Sequence, residues 1–293
     1  MKLPSHEISA FVEIARTQNI TLAAQKLFVT QSALSQRIQK LESLLECTLF
    51  IRDRKGLQLT EAGTKLLRYC QSVEGLEEEF LNEIQNSQEL VGSLRIGAFS
   101  SVLRSVIIPT LTPFLRKHPR IHCEFRRYEV LDLPKALENS EAEMVVCDFH
   151  MNKAHIEEKL LGEEHYVLIE SSKHSCPDNV FLDHGPLDTA TEDFFKAQNK
   201  SPSKSHKVPT NYRRSYMGDA YAIMDAVAEG LGRAVMSKHL VEGQKGLRIV
   251  KGFKPYSRPV VLHYFKRDYT PKLQQLVIQQ LAPHKWGNDR LLP

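Results

Sequence analysis

The stretch Asn19–Leu45, NITLAAQKLFVTQSALSQRIQKLESLL, decides how the rest of this chain is read. Two short helical patterns meet across a break at Phe28 and Val29. Stepping 100° per residue from Leu34 places Leu34, Ile38, Leu41 and Leu45 in one narrow stripe. Ser32, Gln36, Gln39 and Ser43 then point the opposite way, flanked by Ser35 and Lys40. An ordinary solvated helix face would mix Glu and Lys, whereas this ridge is hydroxyls and amides. Such a ridge suits the edges of bases: an amide can bond adenine in a bidentate way, serine lets a helix sink into the major groove, and flanking cations meet phosphates. Thr30 is positioned to cap the second helix, leaving free backbone N–H groups for an anion. Ala23 and Ala24 let two helices approach closely, and Thr21 can cap the short helix while offering its hydroxyl outward. The pattern is a helix-turn-helix, although a two-helix corner of any α domain would share it.

The text after Cys47, CTLFIRDRKGLQLTEAGTKLL, narrows the choice. An apolar run through Phe50 and Ile51, a turn with Arg52, Arg54, Lys55 and Gly56, and the alternating Leu57 and Leu59 predict a two-stranded wing with cations at its tip; Thr60 precedes a new helix. The run from AAQKL through TQSALSQRIQKLE to LTEAG resembles the N-terminal domain of LysR-type transcriptional regulators. TQSALSQRI is most similar to the subgroup that responds to basic amino acids, with Ser32 where many relatives carry proline. Side-chain type and this resemblance together imply that Gln31, Ser32, Ser35 and Gln36 face base edges. Arg37, Arg52, Arg54 and Thr60 would hold phosphates or the adjacent minor groove, with Thr21 beside them.

Bulk properties agree with a regulator. The 293 residues are 42% hydrophobic and 25% charged, ordinary for a folded chain that can hold more than one core. No apolar run approaches the roughly 20 residues of a membrane helix. The opening MKLPSHEISAFVEIA reads as an amphipathic helix rather than a signal peptide, so a cytoplasmic location is expected. A net charge of +4 is too mild to imply DNA binding by itself. Its distribution says more: Met1–Cys70 holds 10 Lys/Arg against 6 Asp/Glu, whereas Gln71–Glu89 holds 6 Glu and no cation. The five cysteines are scattered with no Cys-x-x-Cys, and the 12 histidines show no ligand spacing, so neither a disulfide framework nor a metal site is expected. Some LysR-type relatives sense oxidants through a cysteine pair, but Cys123 and Cys147 lie in apolar runs and read as buried structural thiols.

A first helix over Ser5–Arg16 puts Ile8, Phe11, Val12 and Ala15 on one face and completes a three-helix core. The DNA-binding domain is thus expected over residues 1–60. A linker helix follows over 61–90, with Leu66, Tyr69, Val73, Leu76 and Phe80 at alternating spacings of three and four. Such a seam pairs helices, and its acidic outer face with no core in reach favours self-association. The resemblance implies the same pairing of two chains, and tetramers whose arrangement on DNA shifts when effector closes the sensor.

Beyond the break at Gly92 and Ser93, strands alternate with helices, which predicts a mostly parallel, doubly wound sheet. The fold class is an N-terminal all-α winged helix-turn-helix with a linker helix, then a C-terminal α/β two-lobed effector domain. That domain, expected over 91–293, has lobe I at about 91–163 and 267–293 and lobe II at about 164–266. It resembles the effector domain of LysR-type regulators, whose architecture is shared with periplasmic solute-binding proteins. Ser140, Glu143, Arg233 and Met236-Ser237 depart from the family's usual residues and leave the effector's identity open. Ser171–Thr210, with its KSPSKSHK run, reads as an irregular surface loop.

Ligands of open α/β sheets sit beyond the carboxyl ends of strands and between lobes. That rule selects Ser100 and Ser101, Phe149 and His150, and Met217 and Gly218. The serine hydroxyls and the N–H groups of the following helix could hold a carboxylate, or one serine could simply cap the helix. No resident cofactor is implied, only a small-molecule co-inducer or co-repressor, an amino acid among the candidates. The rival readings are a two-lobed α/β enzyme and an effector-independent DNA-binding protein. No phosphate loop, nucleophile elbow or paired-carboxylate set supports the enzyme.

Overall fold

The structure is a computed structural model that describes residues 3–53, 56–84, 90–199, 211–254, 256–267 and 269–282. Helices α1 (Ser5–Thr17), α2 (Ile20–Lys26) and α3 (Gln31–Leu45) form because their apolar residues recur at helical spacing, and α2 and α3 are capped by side chains while α1 starts after Pro4 without one. Ala10, Phe11, Ile14, Ala23, Ala24, Leu34 and Leu41 are buried together in one core. The cap of α2 is Asn19, whose Oδ1 accepts from the Leu22 N–H at 3.1 Å. Thr21 is therefore not a cap but a first-turn residue. The α2–α3 corner turns at Phe28, which takes φ +53° and is 95% exposed.

Strands β1 (Phe50–Asp53) and β2 (Gly56–Leu59) pair antiparallel with Arg52 opposite Leu57 and Asp53 opposite Gly56. The wing is thus a tight hairpin, and Arg54 and Lys55 lie outside the described residues. Helix α4 (Glu61–Ile84) follows, and Gly63 permits its approach to the wing root, since a Cβ there would sit 2.2 Å from the Leu49 carbonyl oxygen. The first turns of α4 differ from the expected free seam. Leu66, Leu67 and Cys70 are buried in the head's own core, so a core does lie within reach and Leu66 is lost to the seam. The apolar row opens to solvent at Tyr69, between the buried Leu67 and Cys70, and then through Leu76, Phe80, Leu81 and Ile84.

The second half is built on strands β3 (Gly92–Ala98), β4 (Ile121–Arg127), β5 (Met144–Cys147), β6 (Ile156–Ser171), β9 (Ala234–Ser237), β10 (Leu247–Ile249) and β11 (Tyr256–Phe265). Within their sheet β3 is parallel to β4 and β5, whereas β11 is antiparallel to β5 and β6, and β6 is antiparallel to β9 and β10. The sheet is therefore mixed, not mostly parallel. The cause is the long pair β6 and β11, which runs through both lobes and is bent where the register shifts between Val260 and Val261, beside Gly162.

Lobe I closes around Ile96, Ala98, Val145, Val146 and Leu262 under three covering pieces. These are an unbroken helical run made of α5 (Ser100–Val102), a π-helical stretch (Leu103–Ile107) and α6 (Ile108–Lys117), then α7 (Leu133–Glu138) and the closing helix α11 (Lys272–Leu281). Lobe II buries Ile169, Leu182, Ile223, Val227 and Ala234 beneath α9 (Ala220–Ala228). The stretch read as an irregular loop contains β7 (Val180–Asp183) and α8 (Ala190–Asn199), and β7 pairs parallel with β8 (Arg213–Tyr216). Short polar-flanked strands of four residues carry too little periodicity to be seen in a sequence, and here Phe181, Phe194 and Phe195 stabilise them by packing on one another. Residues 200–210 lie outside the described residues. Among the described residues no helix is long and apolar enough to cross a membrane.

Candidate functional site

Two places gather the residues that sequence singled out. The first is the outer face of α3. Thr30 Oγ1 accepts from the Ala33 N–H at 3.1 Å and so starts the helix. With Leu34 and Leu41 fully buried and Ile38 nearly so, Gln31, Ser32, Gln36, Gln39 and Ser43 are exposed, while Ser35 and Arg37 are half-buried at the edges. Gln31 Nε2 donates to Thr21 Oγ1 at 2.8 Å, joining the first turns of α2 and α3. Lys40, which sequence placed beside the ridge, reaches back to the buried Glu7 at 2.6 Å. That ammonium holds the Glu7 carboxyl below the usual carboxylate range.

The wing flanks this face with an exposed Arg52. Its root is fixed by two contacts. Glu42, near the end of α3, accepts from the Leu49 N–H at 2.7 Å. The Thr60 hydroxyl donates to the Thr48 carbonyl at 2.7 Å and accepts from the Gly63 N–H at 3.0 Å. Thr60 thus spends its hydroxyl holding the wing to α4. Glu42 carried no sequence signal of this role, because the Leu49 amide it satisfies belongs to another element.

The second place is the seam between the lobes. Ser101 at the start of α5 is buried and its hydroxyl donates to Glu164 Oε1 at 3.0 Å. Ser237, at the end of β9 in lobe II, donates to the same oxygen at 2.5 Å, and the Tyr166 hydroxyl donates to Glu164 Oε2 at 3.1 Å. A carboxylate only 3% exposed thus ties both lobes together through three hydroxyls, with His239 Nδ1 at 4.0 Å. Burial first, and the Glu164 charge second, push the Tyr166 hydroxyl well above the usual tyrosine range, so it stays a donor.

A second knot lies on β11. Arg258 donates to Asp148 Oδ2 at 2.6 Å, to Asp193 Oδ2 at 2.8 Å, to Thr189 Oγ1 at 2.8 Å and to the Tyr256 hydroxyl at 2.9 Å. It connects the carboxyl end of β5 with the start of α8. Burial works against its charge, but these bonds outweigh burial and raise its pKa. Beyond α8's N-terminus, Asp188 pairs with His184 at 2.9 Å; burial opposes its charge, yet the His184 bond and the Ala190 N–H hold the carboxyl down at about 2. Arg104 of lobe I lies 4.2 Å above the Tyr221 ring of lobe II.

The residues expected at this seam are placed unevenly. Ser100 is half-exposed beside Ser101, and Phe149 packs on the lobe I core. His150 is exposed and pairs with Glu158 at 2.7 Å. Met217 packs on the lobe II core, and Gly218, at φ +70°, is exposed before α9. Sequence missed Asp148, Glu164, Tyr166, Ser237 and Arg258. Asp148 directly after an apolar strand, and charges inside the strands at Glu164 and Arg258, were the only hints. All five cysteines are free thiols. Burial pushes Cys70 up to about 11 and Cys123 up to about 12, and raises Cys147 still further, which makes them poor nucleophiles.

A winged helix-turn-helix head joined by a helix to a two-lobed α/β domain defines a class, the ligand-sensing DNA-binding regulator. Residues 5–64 match the bacterial regulatory helix-turn-helix proteins of the lysR family, and residues 87–286 match the LysR substrate binding domain. The chain belongs to the LysR family of transcriptional regulators, with a DNA-binding and an effector-binding domain. It is 32% identical to the HTH-type regulator YoaU of Bacillus subtilis over 42% of this chain and 43% of that protein. The chain spans about half the length of the first curated relatives it matches. The crystal structure of ArgP from Mycobacterium tuberculosis superposes with a TM-score of 0.77 at 18% identity, covering 96% and 97% of the two chains. Full-length LysG from Corynebacterium glutamicum with bound effector Arg superposes with a TM-score of 0.68 at 16% identity, covering 95% and 96%.

Proposed function

We propose that this protein binds a two-fold-related duplex site through α3 and the wing, and that a small molecule at the lobe seam controls the outcome. One observation carries the reading: Ser32, Gln36, Gln39 and Ser43 form an exposed neutral ridge whose opposite face is fully committed to the core. Gln31, Ser32, Ser35 and Gln36 face base edges, with Thr21 and Thr30 supporting the first turns. Arg37, Arg52 and, outside the described residues, Arg54 meet phosphates. Thr60 positions the wing rather than holding phosphate, because its hydroxyl is already spent. The apolar row on α4 pairs two chains, and two such dimers make a tetramer. Residues 1–60, 61–90 and 91–293 act as reader, spacer and sensor, the first turns of the spacer packing with the reader. The protein binds without catalysing, and a cytoplasmic site of action goes with this role.

The effector belongs to the amino acids, cationic ones first. Glu164 puts a buried carboxylate at the seam that is met by hydroxyls rather than a close cation, whereas Asp148 is already paired with Arg258. LysG, whose fold is similar, holds Arg as its effector. The test is binding to the protein's own promoter region. Gln36→Ala should lower discrimination against a substituted base pair by about 1–3 kcal/mol, whereas Arg52→Ala should weaken all DNA alike and reduce the salt slope by about 1. Identical behaviour of the two variants would contradict the division of roles. Ser100→Trp should abolish the response to arginine or lysine and spare DNA binding.

A further inference from the structure

Where α4 rests on lobe I, two guanidinium groups from separate elements come together with no acidic hydrogen-bond partner among the described residues. Arg68 of α4 lies with its guanidinium 3.7 Å over the Phe265 ring and donates to the Glu138 carbonyl at 3.1 Å. Its Nε is buried and has no hydrogen-bond partner. Arg267, just beyond β11, donates from Nη1 to the Ser72 hydroxyl of α4 at 3.1 Å. Every partner named here is neutral. The carboxylates that pull on these arginines are already bound: Glu138 by Lys153, Glu61 by Lys65 at 2.7 Å, and Glu143 by Arg95 at 2.5 Å. Burial lowers the pKa of both arginines, and Arg267 lowers that of Arg68 further.

Both groups open onto a hollow of about 290 Å³ bounded also by Tyr69, Ser72, Lys266 and Phe265, and among the described residues no carboxylate lines it. Two like charges held partly out of water are costly unless an opposite charge joins them. A pair of guanidinium forks supplies the planar donors that a carboxylate or phosphate accepts, and the aromatic rings suit a flat organic body.

We propose that this joint is a binding site for a small oxyanion, a carboxylate or phosphate, distinct from the lobe seam. Bridging Arg68 on the reading head's helix and Arg267 on the sensor, the anion fixes the angle between them and gives the protein a second chemical input.

The experiment is a thermal-shift titration of the full chain at constant ionic strength with sodium benzoate, with sodium phosphate, and with sodium chloride as the reference. A saturable upward shift with benzoate, phosphate or both is expected, and the arm that gives it identifies the source. Arg267→Gln and Arg68→Gln, made separately so that one misfolded variant does not decide the matter, should each raise the half-saturating concentration by about tenfold or more. Ser100→Trp should leave it unchanged, which separates this site from the lobe seam. The proposal is overturned if neither anion exceeds chloride, if both arginine variants titrate like the parent, or if Ser100→Trp abolishes the shift.

Discussion

Two glycines on α4 should respond in opposite directions to the same substitution. Replacing a helical glycine by alanine gains about 1 kcal/mol of helix propensity wherever space allows. At Gly75 the new Cβ would meet only the Pro271 ring, at 3.2 and 3.4 Å, a contact that a shift of a few tenths of an ångström relieves. Gly75→Ala should therefore be neutral or stabilising. At Gly63 the Cβ would lie 2.2 Å from the Leu49 carbonyl oxygen and 2.9 Å from Leu59 Cδ2. Backbone cannot swing aside as a side-chain tip does, so α4 must move by about 1 Å from the wing root, and overpacking of that kind costs about 1–3 kcal/mol or more. Backbone strain at the wing root also threatens the Thr60 bonds to Thr48 and Gly63, each worth about 1 kcal/mol. The cost outweighs the propensity gain, and Gly63→Ala should lose about 2 kcal/mol net. Denaturant melts followed by circular dichroism measure both variants against the parent. Because the wing would be displaced from α3, Gly63→Ala should also bind operator less tightly than Gly75→Ala. A Gly63→Ala protein as stable as Gly75→Ala would refute the close seating of α4 on the wing.

Asp188 is held at about 2 against 3.8 in an ordinary chain, a difference worth about 2 kcal/mol. Since its folded pKa is the lower one, this stability is present above the unfolded value and lost as pH falls through the folded one; about half should be gone by pH 3. Asp188→Asn should therefore melt lower than the parent at pH 7, and the gap should narrow steadily on acidification; a gap independent of pH would contradict the His184 pairing. Leu76→Glu places a charge in the exposed apolar row of α4. It should shift sedimentation towards the monomer and weaken operator binding, and an unchanged sedimentation profile would remove the pairing seam.

The reading head was nearly all legible in the sequence because its contacts are local. Leu34, Ile38 and Leu41 announce the buried face of α3 by spacing alone, and burying them turns Ser32 and Gln36 outward with no other information required. The wing followed from alternation and a tight turn, and the strand Met144–Cys147 from an unbroken apolar run. Periodicity reports which residues are buried, not the direction in which a strand meets its neighbour, so the antiparallel β6 and β11 were invisible until their pairing was seen. The same limit hid the seam. Ser101 and Ser237 donate to Glu164 from 63 and 73 residues away, and Arg258 reaches Asp148 across 110. By itself the sequence determined a regulator's reading helix and a two-lobed partner for it. Tertiary structure alone decided which buried charges meet which partners, since a carboxylate or guanidinium out of water needs hydrogen-bond partners or an opposite charge, and the chain brings these together from distant turns.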